Sequence, residues 1–333
     1  MKSNRPGDFT LPAKVAILYS FVKKRYFPTF AQYRTEKDAY REARIVAGYL
    51  EKLGIRYQLI ATDKNFITKI RKYQPGLILN LVGSVYGKEY LAALIPAVAE
   101  MFDIPCTGAD FMSESLGYDK YRLKKRLEEF GVPVPRCFLI EKSSETIPDN
   151  ILYPVIVKLN SIHGSVEITK KAFCKNRGEL VQRANYLKKI YRDDVLVEEF
   201  IPGEEFSVIG FEYHGLSVYA AKNIFGKSEN PDYFATFDLQ WSDEEIGFEK
   251  FTDKNLTRLI KIAYPVSGMR DYGKFDIRRN RQGQYYFIDA NTNPAFGPKE
   301  SECAMATVMD MYGFSFEEIL KRLFTNVLVR SKK

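Results

Sequence analysis

At 333 residues the chain exceeds one ordinary domain and predicts two or three. It is 45% hydrophobic and 28% charged, a globular balance that allows a sizeable core, and no apolar run reaches the ~18 residues that a membrane helix needs. Its net charge of +8 points to anionic partners: nucleic acid, a membrane surface or small anions such as ATP.

The basic residues are interleaved with acids over residues 120–129 and 188–194, which favours small anions over nucleic acid. The polar residues 1–10 lack a signal-peptide core, so a cytoplasmic location is expected. Cys106, Cys137, Cys174 and Cys303 are scattered with no C-x-x-C pair, which predicts reduced thiols and neither a disulfide framework nor a zinc site. The basic end, Arg330-Ser331-Lys332-Lys333, reads as a frayed, solvated terminus.

Residues 14–20 form a short apolar run and read as a first strand. Ala39, Ala43, Val46, Ala47 and Leu50 recur at helical spacing, and Gly54 follows as a stop signal. A second strand at 57–61, a short polar helix at 63–73 and a buried third strand at 76–82 come next. A helix at 88–102 follows, with Leu91, Leu94, Ile95 and Val98 as its apolar face. This alternation predicts a parallel α/β domain over residues 1–110. Gly83-Ser84-Val85-Tyr86-Gly87 lies at the carboxyl end of the third strand, where open α/β sheets bind ligands, although a plain connection explains it as simply.

Residues 119–130 predict a very basic helix with Leu123, Leu127 and Phe130 toward the core and Gly131 as its cap. Val132-Pro133-Val134-Pro135 is an extended linker into a new unit. Residues 153–158 read as a strand ending in Lys158, followed by a small polar loop through Gly164 and Ser165 and a second strand at 166–169. Such a loop can present backbone N–H groups to phosphates beside the lysine, and a hairpin with an exposed lysine fits it equally. The spacing is not that of a P-loop. His163 reads as a loop polar residue with no catalytic part.

A helix spans 177–191, and residues 195–208 read as strand, turn, strand, with Glu198 and Glu205 on either side of the corner. Acidic groups placed there can receive an adenine amino group or ribose hydroxyls, though exposed strand glutamates are commonplace. A strand follows at 216–224, then an irregular polar stretch at 226–241 of active-site-lid length, and a helix at 255–264.

The chemistry concentrates in residues 274–294. Two runs rich in aromatic and β-branched residues flank Gln282-Gly283, which predicts a hairpin with a two-residue loop. Counting outward sets Asn280 opposite Tyr285 and Asp276 opposite Asp289. Like charges opposed across a ladder destabilise it, unless a bound cation turns the repulsion to use. Asn291 shares the face of Asp289, and two carboxylates with an amide oxygen form a hard set suited to Mg²⁺. A hairpin with polar residues on a solvated face explains the same pattern, with Phe275, Ile277, Ile288 and Ala290 on the other side.

Taken together these parts resemble the ATP-grasp superfamily, in its D-alanine–D-alanine ligase-like branch, over nearly the whole chain. Asp276, Asp289 and Asn291 match that family's magnesium ligands, with Asp289 where most members have Glu. Lys120, in Tyr118-Asp119-Lys120, and Lys158 match its two phosphate-contacting lysines. Glu198, Glu199, Phe200 and Ile201 match the adenine-binding segment and Glu205 the ribose-binding glutamate. Gly164-Ser165-Val166 matches the end of the phosphate-covering loop, which makes Ser165 a site residue. The resemblance implies ATP and Mg²⁺ (with Mn²⁺ as a substitute) as cofactors, an acyl phosphate made from one substrate's carboxylate, and amide formation by a second substrate's amine. It gives Lys274 the task of stabilising charge on the acyl phosphate. A homodimer is also implied.

The sequence departs from the pattern around the amino-acid substrates. Lys274 stands where the family usually has Arg, Ala295 replaces a glycine, and Val82 stands where a histidine follows the third strand. Tyr233-Phe234-Ala235-Thr236-Phe237 lacks the lid lysine that contacts phosphate, for which Lys222 or Lys227 is the expected substitute. Pro298, Lys299, Glu300 and Ser301 replace the segment that holds the second D-alanine, and Asp38 aligns loosely with the glutamate that binds the first substrate's ammonium group. The expected fold is α/β and α+β: a parallel α/β unit at 1–111, a lid sub-domain at 112–203 and a metal-bearing sub-domain at 204–333, with ATP between the last two. The expected activity is an ATP-dependent carboxylate–amine ligase for amino-acid-like small molecules other than the D-alanine pair. A genuine D-alanine–D-alanine ligase, an ATP-binding protein without catalysis and a ligase that modifies a protein or peptide are the alternatives.

Overall fold

The computed structural model describes residues 9–144, 146–225, 234–241 and 246–332. The chain begins as a βα alternation: β1 (Lys14–Tyr19), α1 (Phe30–Glu36), α2 (Ala39–Lys52), β2 (Arg56–Ala61), α3 (Phe66–Tyr73), β3 (Leu77–Leu81) and α4 (Leu94–Met101). The three strands form a parallel sheet of order β2-β1-β3. Side chains alternate across a strand, so Val15 and Ile17 of β1 pack toward α2 while Ala16 and Leu18 pack toward α3 and α4. Both faces are thus covered, as a parallel sheet requires. The helix expected at 88–102 is broken: residues 89–93 are a 3₁₀ turn and only then does α4 begin, with Pro96 in its first turn, where a missing N–H is tolerated. The tighter turn shifts the phase of the helix, and Leu94, expected inside, is exposed.

Next come α5 (Phe111–Gly117) and α6 (Lys120–Glu129), each started by an aspartate cap: Asp110 accepts from the Ser113 N–H and Asp119 from the Arg122 N–H. The buried stripe of α6 is Lys120, Leu123, Lys124 and Leu127, at i, i+3, i+4 and i+7. Phe130 is 55% exposed, contrary to expectation, because the helix ends at Glu129 and the chain turns away through Gly131 at φ +73°.

A second sheet is antiparallel and built from β4 (Cys137–Ile140), β5 (Val155–Leu159), β6 (Phe173–Cys174) and, beyond α7 (Arg177–Tyr191), β7 (Val195–Glu199), in the order β4-β7-β5-β6. The strand expected at 166–169 is absent. Ser165 and Glu167 hold φ of +55° and +66°, which breaks a ladder, and the edge partner of β5 is the later, two-residue β6.

The third sheet is formed by β8 (Glu204–Glu212), β9 (Leu216–Ile224), β10 (Gly247–Phe251), β11 (Tyr272–Arg279) and β12 (Tyr285–Asn291), in the order β10-β9-β8-β11-β12, all antiparallel; α8 (Phe237–Trp241) and α9 (Lys254–Val266) interrupt it in sequence. One face of this sheet packs on α6 and α9 through Phe206, Val208, Phe275 and Ile277. On the other face, Ile209 and Phe211 join the core of the first sheet. Two helices, α10 (Ala304–Met311) and α11 (Phe316–Arg330), end the chain, and Ile319, Leu320, Leu323, Phe324 and Val327 of α11 pack into that shared core. The expected frayed terminus therefore begins later than Arg330, which donates to Asp271 Oδ1 and to the Cys106 carbonyl at 2.8 Å each. All four cysteines are free, and no described helix is long and apolar enough to cross a membrane.

Candidate active site

The β11–β12 hairpin reaches the expected pairing by an unexpected route. The Asn280 N–H donates to the Gln284 carbonyl at 3.0 Å and Gly283 has φ +79°, so three residues form the loop and Arg279, not Asn280, lies opposite Tyr285. Ile277 then pairs with Phe287 but Asp276 with Asp289, leaving Ile288 as an extra residue in a β-bulge. The bulge cancels the offset from the longer turn, and the two aspartates face each other. It also turns Ile288, expected among the core residues, into the cleft between the second and third sheets.

The bulge carbonyls organise a buried ionic knot. The Lys124 ammonium donates to the carbonyls of Phe287 and Ile288, and the Lys158 ammonium donates to that of Ile288, all at 2.8 Å. Glu198 of β7 lies between the two lysines, 3.0 Å from Lys124 and 2.9 Å from Lys158. Burial pulls the Lys124 ammonium below its ordinary range, whereas Lys158, equally buried, is held above it by Glu198 and Asp289. Sequence reasoning gave Lys124 no role. Its spacing, which completes the α6 stripe, was the signal that could have found it.

On β11, Lys274, Asp276 and Arg278 share one face at alternate positions, opposite Ile209, Ser207 and Glu205 of β8, and Asp276 and Arg278 line the cleft. The Lys274 ammonium is 2.6 Å from both oxygens of Asp276; burial would lower its pKa, but Asp276 raises it. Burial also pushes the Asp289 carboxyl up, yet Lys120, His163 and Lys158 hold it well below the usual range. His163 Nδ1 lies 3.8 Å from Asp289 and its ring stands edge-on to Tyr118, so this residue belongs to the site. Asn291 pairs with Lys274 in register, and its amide oxygen accepts from the Asn293 N–H at 3.0 Å.

Two opposed carboxylates with one amide oxygen suit a hard divalent cation such as Mg²⁺, and Lys274 is the protein's own cation beside Asp276. Among the described residues no three His, Cys, Asp or Glu side chains cluster, so a cation here needs Asn291 and oxygens from its ligand.

Lys120, Lys158, Ser165, Glu198, Glu199, Phe200, Ile201, Glu205, Asp276 and Asp289 all line one cleft. Lys120, under the loop that carries Ser165, donates to the Ile162 carbonyl at 2.7 Å. The Phe200 ring meets those of Phe173 and Phe234 edge to face at 4.9 and 5.9 Å, an aromatic cluster at the cleft.

Two residues are placed elsewhere. Lys222 is opposite Phe206 in register, so strand alternation puts it on the far face of the third sheet, where it pairs with Glu204 at 2.8 Å; it cannot substitute for a lid lysine. Lys227 and Tyr233 fall outside the described residues. Asp38 starts α2 without a side-chain cap and pairs with Lys37 at 3.0 Å near solvent. Two residues earlier, at the end of α1, Glu36 is the carboxylate turned inward: Ser84 Oγ donates to its Oε2 at 2.8 Å and its Oε1 is buried without a hydrogen bond. Gly83 suits this approach, since a Cβ there would lie 3.4 Å from the same oxygen.

Glu89 is a second buried carboxylate of this region, accepting from the His163 backbone N–H at 2.7 Å and from Gln32 at 3.4 Å. Burial and repulsion from Glu36 push its pKa from the ordinary 4.5 up to about 8, against the pull of His163, Lys120 and Gln32. The folded chain therefore holds this proton more tightly than the unfolded chain. The stability it contributes is full below the unfolded value and is lost as pH rises through about 8. Glu89→Gln is expected to lose less melting temperature than the unaltered protein between pH 5 and pH 8; equal losses in the two proteins would contradict the placement of this charge.

A family model described as "D-ala D-ala ligase C-terminus" matches residues 128–325, more than half of the chain. The chain belongs to this family. Its matched stretch carries Lys158, Glu198, Glu205, Asp276, Asp289 and Asn291, while Glu36 and Lys120 lie before it. Among similar curated proteins are the D-alanine–D-alanine ligase of Alcanivorax borkumensis, 25% identical over 251 residues (74% of this chain, 75% of that one), and that of a Marinomonas species, 26% identical over 316 residues (87% and 92%). A solved D-alanine–D-alanine ligase from Bacillus anthracis, complexed with ATP, superposes with a TM-score of 0.74 over 96% of this chain and 99% of that one at 16% identity. The fold is accordingly the ATP-grasp fold of the ligase-like branch.

Proposed function

We propose that the chain is an ATP-dependent carboxylate–amine ligase that joins amino-acid-like small molecules through an acyl phosphate, and that its substrates are not the D-alanine pair. The observation that carries this reading is the convergence of Lys120 and Lys158 with the opposed Asp276 and Asp289, and Lys274 bound to Asp276, in a cleft that Phe200 and Phe234 also line. We divide the chain at 1–111, 112–203 and 204–333, with ATP between the last two units.

In this reading Phe200, Phe173 and Phe234 flank the adenine, Glu205 receives the ribose hydroxyls, and Lys120 and Lys158 meet the phosphates under the loop that carries Ser165. Asp276, Asp289 and Asn291 would hold Mg²⁺, which would neutralise the nucleotide's phosphate charge. Lys274, a point charge where a forked guanidinium is usual, steadies the negative charge that builds as the donor carboxylate takes the phosphoryl group. The acceptor amine then attacks the acyl carbon and phosphate leaves. Glu36, ahead of the cleft and with one oxygen unoccupied, takes the ammonium group of the donor.

The changed acceptor side supports substrates other than the D-alanine pair. Glu300 stands in the segment that otherwise holds the second D-alanine and accepts from the Tyr49 hydroxyl at 3.1 Å. A carboxylate there disfavours an acceptor that presents its own carboxylate.

The test is phosphate release from ATP and Mg²⁺ against a matrix of D- and L-amino acids and small carboxylates, with mass spectrometry of each positive well. Release together with a new amide mass is expected. Efficient D-alanyl-D-alanine with no other product would overturn the choice of substrates, and ATP binding with no release in any well would favour a dead enzyme or a protein-sized substrate. Once the donor is known, Glu36→Gln is expected to raise its KM by about tenfold to a hundredfold, the worth of one hydrogen bond to a charged group, with the KM for ATP little changed.

A further inference from the structure

Arg278 is 2% exposed, lines the nucleotide cleft and has no part in the reaction above. It leaves β11 on the same face as Asp276 and reaches the short link between β7 and β8, which joins the second sheet to the third. Its Nε donates to the Ile201 carbonyl at 2.6 Å, one terminal nitrogen to the Gly203 carbonyl at 2.8 Å and the other to Glu205 Oε2 at 2.9 Å. The guanidinium lies 5.0 Å over the Phe200 ring.

The link itself has little freedom. Gly203 has φ +141°, and a Cβ there would run into the Arg279 carbonyl. Asn223 Nδ2 donates to the other Glu205 oxygen at 3.3 Å. An ionised carboxylate offers about four lone-pair sites, so these two side-chain donors, with the Ala235 backbone N–H as a third, orient Glu205 and leave room for one further donor in the cleft it lines.

We propose that Arg278 is the positioning residue that makes this cleft select ribonucleotides, by fixing Glu205 where the 2′-hydroxyl of ATP donates to it. The inference rests on the reading of the cleft as an ATP site. Lysine could not replace the arginine, because a single ammonium cannot span two carbonyls and a carboxylate in one rigid fork.

The experiment is calorimetric binding of ATP, 2′-deoxyATP and inorganic tripolyphosphate, each with Mg²⁺, to the unaltered protein, Arg278→Lys, Arg278→Met and Glu205→Gln. The unaltered protein is expected to prefer ATP over 2′-deoxyATP about tenfold or more, as one hydrogen bond to a charged group allows. Each variant should bring that ratio to within about twofold by weakening ATP alone, with tripolyphosphate binding unchanged. A folded Arg278→Lys or Arg278→Met protein that keeps the full preference overturns the proposal, since a merely structural arginine would leave it intact. An unaltered protein that binds ATP and 2′-deoxyATP equally overturns this inference alone; one that binds no ATP overturns the nucleotide reading with it.

Discussion

Asp289→Ala is expected to abolish ATP turnover while the protein stays folded. The substitution removes one of two opposed carboxylates and leaves Lys120, Lys158 and His163 without the anion that they surround. Loss of a metal ligand at a phosphoryl-transfer centre removes several kcal/mol of transition-state stabilisation, and about 4 kcal/mol corresponds to roughly a 10³-fold fall in kcat. Stability should fall as well, because Lys120 and Lys158 lose the anion that they hold ionised, with relief of the repulsion from Asp276 offsetting part of the loss. Phosphate release in the presence of the substrates found by the matrix measures the first effect and thermal unfolding the second. Asp289→Glu, which keeps a carboxylate at this position, should recover a substantial part of the rate. A folded Asp289→Ala protein that turns over ATP at the unaltered rate would remove the metal site from the account.

The largest stability effect should come from Lys124, outside the reacting groups. Lys124→Met removes the lysine donor of the Phe287 carbonyl, leaves the Ile288 carbonyl with Lys158 as its remaining lysine donor and leaves Glu198 with Lys158 alone. Breaking a buried ion pair from one side costs about 3–5 kcal/mol, which for a chain of this size lowers the melting temperature by roughly 10 °C. Removing Glu198 as well should cost more, because the buried Lys158 then loses its paired carboxylate, so the double variant Lys124→Met with Glu198→Leu is expected to melt below Lys124→Met alone. The Ile288 carbonyl also anchors Lys158, so Lys124→Met should weaken ATP binding as well. A single variant that melts with the unaltered protein would show that the knot contributes nothing.

Much of the fold was legible because hydrophobic period and turn residues agree locally. The strands of the first sheet, α2, α7 and β9 fall where the pattern of apolar residues puts them. What was not legible depended on long-range packing. The Asp276–Asp289 pairing followed from counting out a two-residue turn, and it holds only because a bulge offsets a three-residue one. The same bulge moved Ile288 into the cleft, which no local count could show. Lys222 went to the wrong face because its neighbour Asn223, one residue on, is the position that faces Glu205. Glu36 was passed over for Asp38 since nothing in the sequence marks where α1 ends and α2 begins. The lid stretch kept a polar composition without periodicity, and β10, an edge strand with mostly solvated side chains, gave little signal beside it.

The last helix has a consequence for how the protein is made. α11 supplies apolar side chains to the same core as β1 and α2, and Thr325 exchanges hydrogen bonds with the backbone of Thr10 at 3.0 and 3.3 Å. On a ribosome adding about 5–20 residues each second, α11 is synthesised roughly ten seconds to a minute after the first sheet. During that interval the nascent first unit carries an uncovered apolar seam. Its beginning closes only when its end arrives, so early release, stalling or a truncated message leaves a sticky fragment for chaperones and proteases rather than a folded half.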